Sequence, residues 1–145
     1  MTAKEYLSQI MEYDRQVRFY ARQIEELKSM MYSVRGLSYD KDKVQTSATD
    51  DQMLRLIAQA DNLTNKWQKE MDALMQAKAR IMFEISLIER PSYKWLLMYR
   101  YVDGMKWSQV AAAMGINNMR SMFYIHGRAL KAFEQIHEKL NAEVH

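Results

Sequence analysis

The sequence predicts an all-α protein in two parts: a long antiparallel, coiled-coil-like helical hairpin over residues 1–90, then a helix-turn-helix domain over residues 91–145. Three observations predict it. Only four Gly and one Pro occur in 145 residues, so little punctuation is left for β-hairpins, while 48% of the residues are hydrophobic. Apolar residues recur at heptad spacing through most of the first ninety positions. Residues 105–131, MKWSQVAAAMGINNMRSMFYIHGRALK, read as a short apolar helix, a tight turn and a longer second helix.

Thr2 with Glu5 three residues later forms a capping-box pattern, so the first helix starts at about Ala3. Its seam runs through Ala3 and Tyr6, Ile10 and Tyr13, Val17 and Tyr20, Ile24 and Leu27, and Met31 and Val34. Tyr at three of the five second positions is too bulky for a tight parallel zipper and suits one arm of a helical hairpin. Gly36 is expected to end the helix. Residues 37–49, rich in Ser, Thr and Asp, read as a solvated loop in which Asp40 and Asp42 offset Lys41 and Lys43.

A second long helix is expected from Thr49 or Asp50 to Arg90, where Pro91 disfavours helical geometry in the residue before it. Its seam reads Met53, Ile57, Ala60, Thr64, Trp67, Met71, Leu74, Lys78, Ile81, Ile85 and Ile88. Thr64 and Lys78 then stand as polar seam residues, able to set register, or in the case of Lys78 to pack its stem and keep its ammonium in water. A two-helix hairpin buries one stripe of each helix, so a homo-oligomer is expected to cover the rest. The thirteen Met residues suit irregular core gaps.

In the C-terminal part Trp107, Val110, Ala111 and Met114 share one helical face. Gly115 supplies a residue that takes positive φ without steric cost, and Asn118 can cap the next helix. Helical phase turns Met119, Met122, Ile125, Ala129 and Leu130 or Phe133 inward. It leaves Asn118, Arg120, Ser121, Phe123, Tyr124, Gly127, Arg128 and Lys131 outward. The planar fork of Arg120 suits a guanine edge. Asn118 suits a cap before it suits adenine, and Tyr124, Arg128 and Lys131 suit phosphates.

The run from Tyr93 to Phe133 resembles region 4 of the sigma-70 family, the helix-turn-helix domain that reads promoter −35 elements. Tyr99, Arg100, Tyr101 and Gly104 match its first phrase, Val110, Ala111, Met114 and Gly115 its second, and Arg128, Ala129, Leu130 and Lys131 its third. One extra residue stands at Asn117 and Asn118. The phrases from Met1 to Leu7 and from Ile125 to Leu130 are also similar to those of small ArpU-like regulators of phage and prophage. The resemblance implies a DNA-contacting set of Trp107, Ser108, Asn118, Arg120, Ser121, Phe123, Tyr124, Arg128 and Lys131. It implies double-stranded DNA as a partner, RNA polymerase as a second, and a site of action in the cytoplasm of a bacterial host. This sequence departs from the family in carrying fewer cations on the second helix, where Met119, Ser121, Phe123 and Gly127 stand; fewer cations release fewer counterions and weaken binding.

Composition bounds the alternatives. Residues 1–90 hold 14 Lys+Arg and 14 Asp+Glu, whereas 91–145 hold 7 and 4, so the net +3 lies entirely in the second part. No Cys is present, and the three His have no metal-ligand spacing. There is no Gly-rich phosphate loop and no HExxH, so neither catalysis nor a metal or other cofactor is expected. The longest apolar run falls far short of the ~20 residues a membrane span needs. Two other functions fit the same pattern: a DNA-packaging protein of the small-terminase kind, and a protein–protein adaptor that keeps the fold without DNA binding.

Overall fold

In the computed structural model, residues 1–40 and 46–144 are described, and every regular element among them is helical. Helix α1 spans Ala3–Leu7, α2 Gln9–Asp40, α3 Thr46–Ser86, α4 Pro91–Leu97, α5 Trp107–Met114 and α6 Met119–Val144; a π-helical turn, Met98–Val102, follows α4 directly. None of the described helices is long and apolar enough to cross a membrane.

The chain start forms the expected capping box. The Thr2 hydroxyl accepts the Glu5 amide at 3.2 Å, and the Glu5 carboxylate accepts the Thr2 amide at 3.2 Å. Gly36 does not end α2. The helix passes through it to Asp40, with no positive φ there, and α3 is already helical at Thr46, so of the expected loop only residues 41–45 lie outside the described residues. A long helix with a packed seam absorbs the ~1 kcal/mol that Gly costs in its interior.

The seam of α2 is the one its heptads give: Ile10, Val17, Leu27 and Val34 are buried, with Tyr13, Tyr20, Ile24 and Met31 partly covered. In α3 the packed positions alternate by three and then four, as Met53, Leu56, Ala60, Leu63, Trp67, in place of four and then three. Ile57 is 42% exposed, Thr64 and Lys78 face solvent, and Ala77 is buried at 1%. The seam is therefore apolar where Thr64 and Lys78 were expected to interrupt it. The freed Thr64 hydroxyl turns back onto the Ala60 carbonyl at 2.7 Å.

The chain divides into two compact units, residues 13–73 and residues 1–12 with 74–145. In the first, α2 lies alongside α3, and Gln23, Leu27 and Met30 share a shallow groove with Gln59, Asn62 and Leu63. The second unit holds the main core. Leu7, Ile10, Ile81, Ile85 and Ile88 meet Leu96, Leu97, Tyr101, Val110, Met122, Ala129 and Phe133 in it, each at most 4% exposed. Helices α4, α5 and α6 are therefore packed around the first turns of the chain and the last turns of α3.

A polar cluster crosses this core. Glu84, 6% exposed, accepts the Tyr6 hydroxyl at 3.0 Å and pairs with His137 Nδ1 at 3.0 Å, while Arg80 Nε donates to the Tyr6 oxygen at 2.9 Å. Burial is the main cause that raises the Tyr6 pKa, with Glu84 adding to it and Arg80 opposing it. A buried carboxylate with two hydrogen-bond partners links α1, α3 and α6.

A candidate nucleic-acid interface on the last helix

Four local devices set where α6 points. Pro91 occupies the first position of α4 and holds Arg90 extended at φ −74° and ψ 116°. The π turn then closes with the Asp103 amide on the Met98 carbonyl at 2.9 Å, and it buries Tyr101 and Val102. Helix α5 ends on Gly115 at φ 68° and ψ 28°, where the Ile116 amide reaches back to the Ala111 carbonyl at 2.9 Å, a Schellman closure. Asn118 caps α6: its Oδ1 accepts the Arg120 amide at 2.9 Å, so that oxygen is already engaged at the helix start.

An aromatic cluster joins α5 to α6. The Trp107 ring lies edge-on to Phe123 at 5.4 Å and to His126 at 4.6 Å, with the Arg100 guanidinium 4.6 Å from its centre. Arg100 Nη1 also donates to the Met105 carbonyl at 2.9 Å, which holds the segment leading into α5. His126 is 9% exposed and shares a 2.7 Å hydrogen bond with the Tyr101 hydroxyl. Burial lowers the His126 pKa to about 4, with Lys4 and Arg100 adding to the effect; burial pushes Tyr101 up to about 12 against the opposing pull of Arg100. The two groups are neutral partners near pH 7.

On α6 the inward positions are Met122, His126, Ala129 and Phe133, with Ile125 and Leu130 at the margin. Met119, expected inward, is 41% exposed at the first position of α6. Arg120, Phe123, Tyr124, Gly127, Arg128 and Lys131 recur at three- and four-residue steps on the opposite face, and all are exposed. The Arg128 guanidinium sits 5.2 Å from the Tyr124 ring centre. Ser121 is exposed beside this face and Ser108 is exposed on α5, while Trp107 is half-buried beneath Phe123.

Charge follows the same division. Residues 91–131 hold six cations, Lys94, Arg100, Lys106, Arg120, Arg128 and Lys131, against Asp103 alone, whereas residues 132–145 hold Lys139 against Glu134, Glu138 and Glu143. The first half of α6 is basic and the second acidic, a contrast that the total of +3 averages away. Sequence reasoning missed Arg100 and His126 as the residues that seat Trp107. Their signal was present in the Tyr-Arg-Tyr phrase and in the helical phase of His126, but a ring contact across twenty residues cannot be read from spacing. Among the described residues no group of His, Cys, Asp and Glu is arranged to hold a metal ion.

The geometry defines a small all-α unit that presents one mixed aromatic and basic helix face. Compared with protein-family models, curated proteins and solved structures, the chain matches none.

Proposed function

We propose that the chain is a DNA-binding transcriptional regulator of phage or prophage type, which reads promoter DNA through α6 as a sigma region 4-like recognition helix. One observation carries the reading: Arg120, Phe123, Tyr124, Arg128 and Lys131 share an exposed face of α6, with no acidic side chain between Asp103 and Glu134. A helix of this kind fits the major groove, where Arg120 addresses a guanine edge and Arg128 and Lys131 address phosphates. RNA polymerase is the further partner in this reading, and self-association supplies the affinity that a face with few cations lacks.

The test is selection of random-sequence 30-bp duplexes by the full chain at low salt, followed by affinity measurements on the duplexes recovered. Arg120→Ala is expected to cost about 1–3 kcal/mol on the recovered site and to relax one base position, whereas Lys131→Ala weakens all duplexes and lowers the salt slope by about 1. Failure to recover any duplex sinks the DNA reading. The exposure of Phe123 and Tyr124, 49% and 64%, favours a second reading in which the same face binds a protein. Capture of purified RNA polymerase with nuclease present, lost in Phe123→Ala, would support it.

A further inference from the structure

We propose that Gly127 is the point where α6 comes closest to the sugar–phosphate wall of a DNA groove, an inference that rests on the DNA-binding reading above. Gly127 is the ninth residue of α6, well inside the helix, and has ordinary helical backbone; among the described residues only Gly104 and Gly115 have positive φ. No conformational need therefore selects glycine there. Nor does internal packing: a Cβ built on Gly127 meets nothing within 4 Å. The residue weakens the helix and relieves no contact within the chain.

Its position supplies the reason. Gly127 lies at the middle of the outer face, with Phe123 and Tyr124 one turn before it and Arg128 and Lys131 after it, and it faces away from Met122, Ala129 and Phe133. The flanking cations, unopposed from Asp103 to Glu134, commit the occupant to a polyanion rather than an apolar protein surface. A gap of one side chain between two aromatic rings and two cations lets the helix backbone approach the nucleic acid while Arg128 and Lys131, both beyond it, reach phosphates. Gly36 is the internal control, since it too is an exposed helical glycine with open space at its Cβ, and it lies on α2 in the other compact unit.

The experiment compares the full chain with Gly127→Ala, Gly127→Leu and Gly36→Ala on a duplex recovered from the random pool, alongside thermal unfolding. Both alanine variants are expected to raise the melting midpoint by roughly 3 °C through helix propensity. Binding should fall about threefold in Gly127→Ala and about tenfold or more in Gly127→Leu, as overpacking of a filled contact does, with an unchanged salt slope. Gly36→Ala should bind as the wild type does. The proposal is overturned if either Gly127 variant binds with wild-type affinity, or if Gly36→Ala loses binding in parallel. A wild-type chain that recovers no duplex overturns the DNA reading and this inference together, whereas wild-type binding that is indifferent to Gly127 overturns this inference alone.

Discussion

Tyr101 and His126 bind each other as neutral groups, and that choice carries a pH signature. His126 titrates at about 4 in the folded chain against 6.5 when free, so as pH falls below 6.5 the unfolded chain takes up the proton first and stability declines. Tyr101 titrates at about 12 against 10, so above pH 10 the unfolded chain loses its proton first and stability declines again. The urea midpoint should therefore be highest between pH 6.5 and 10, already fall between 6.5 and 5 before most carboxylates titrate, and lose part of its alkaline decline in Tyr101→Phe. A midpoint flat from pH 6.5 to 5 would show that His126 is not held neutral by burial. Tyr101→Phe should also cost about 1–3 kcal/mol at pH 7, because it leaves the buried Nε2 without its partner. His126 is packed into the core, and its Tyr101 partner, twenty-five residues earlier, has no local signal in the sequence.

At the scale of elements, most of the secondary structure could be read directly. The Thr2 and Glu5 pattern places the start of α1 and Gly115 the end of α5, whereas α3, expected to run to Arg90, already stops at Ser86 ahead of Pro91. The α3 seam shows where local reading stops. Leu56 and Ile57 are adjacent aliphatic residues, and a stripe stepping by three then four looks, from periodicity alone, as regular as one stepping by four then three. Only the surface opposite chooses between them, and it chooses Leu56 and Leu63 over Ile57 and Thr64. Leu63→Ala is accordingly expected to destabilise the chain by about 2 kcal/mol and Thr64→Ala by less than ~0.5 kcal/mol, measured by denaturant unfolding. Equal effects would restore the other seam. The π turn was likewise invisible, because Met98–Val102 carries no residue that demands it. It forms where the chain must bury Tyr101 and Val102 and still bring Arg100 onto Trp107.

For the molecule as a whole, the boundary read at Pro91 has an energetic consequence. A fragment of residues 91–145 would lack Leu7, Ile10, Ile81, Ile85 and Ile88, all buried in the same core as Leu97 and Phe133. At ~1.5–3 kcal/mol per buried aliphatic side chain these five contribute roughly 7–15 kcal/mol, comparable with the whole net stability of a typical domain. The fragment is therefore expected to show poor amide dispersion and no cooperative melting, while the full chain melts cooperatively; a fragment with a sharp transition would contradict this account of the core. The sequence alone determined the all-α class, the long helices and the tight turn before α6, because caps, heptads and glycine act through neighbours a few residues apart. It also determined which α6 residues stand outside, Met119 apart, since helical phase needs no partner to define it. Tertiary structure decided the α3 seam, the π turn, the pairing of Tyr101 with His126 and the joining of the chain start and the last turns of α3 to the C-terminal helices. Those depend on which distant surfaces meet, and burial free energy is assigned by contact in space, whatever the separation along the chain.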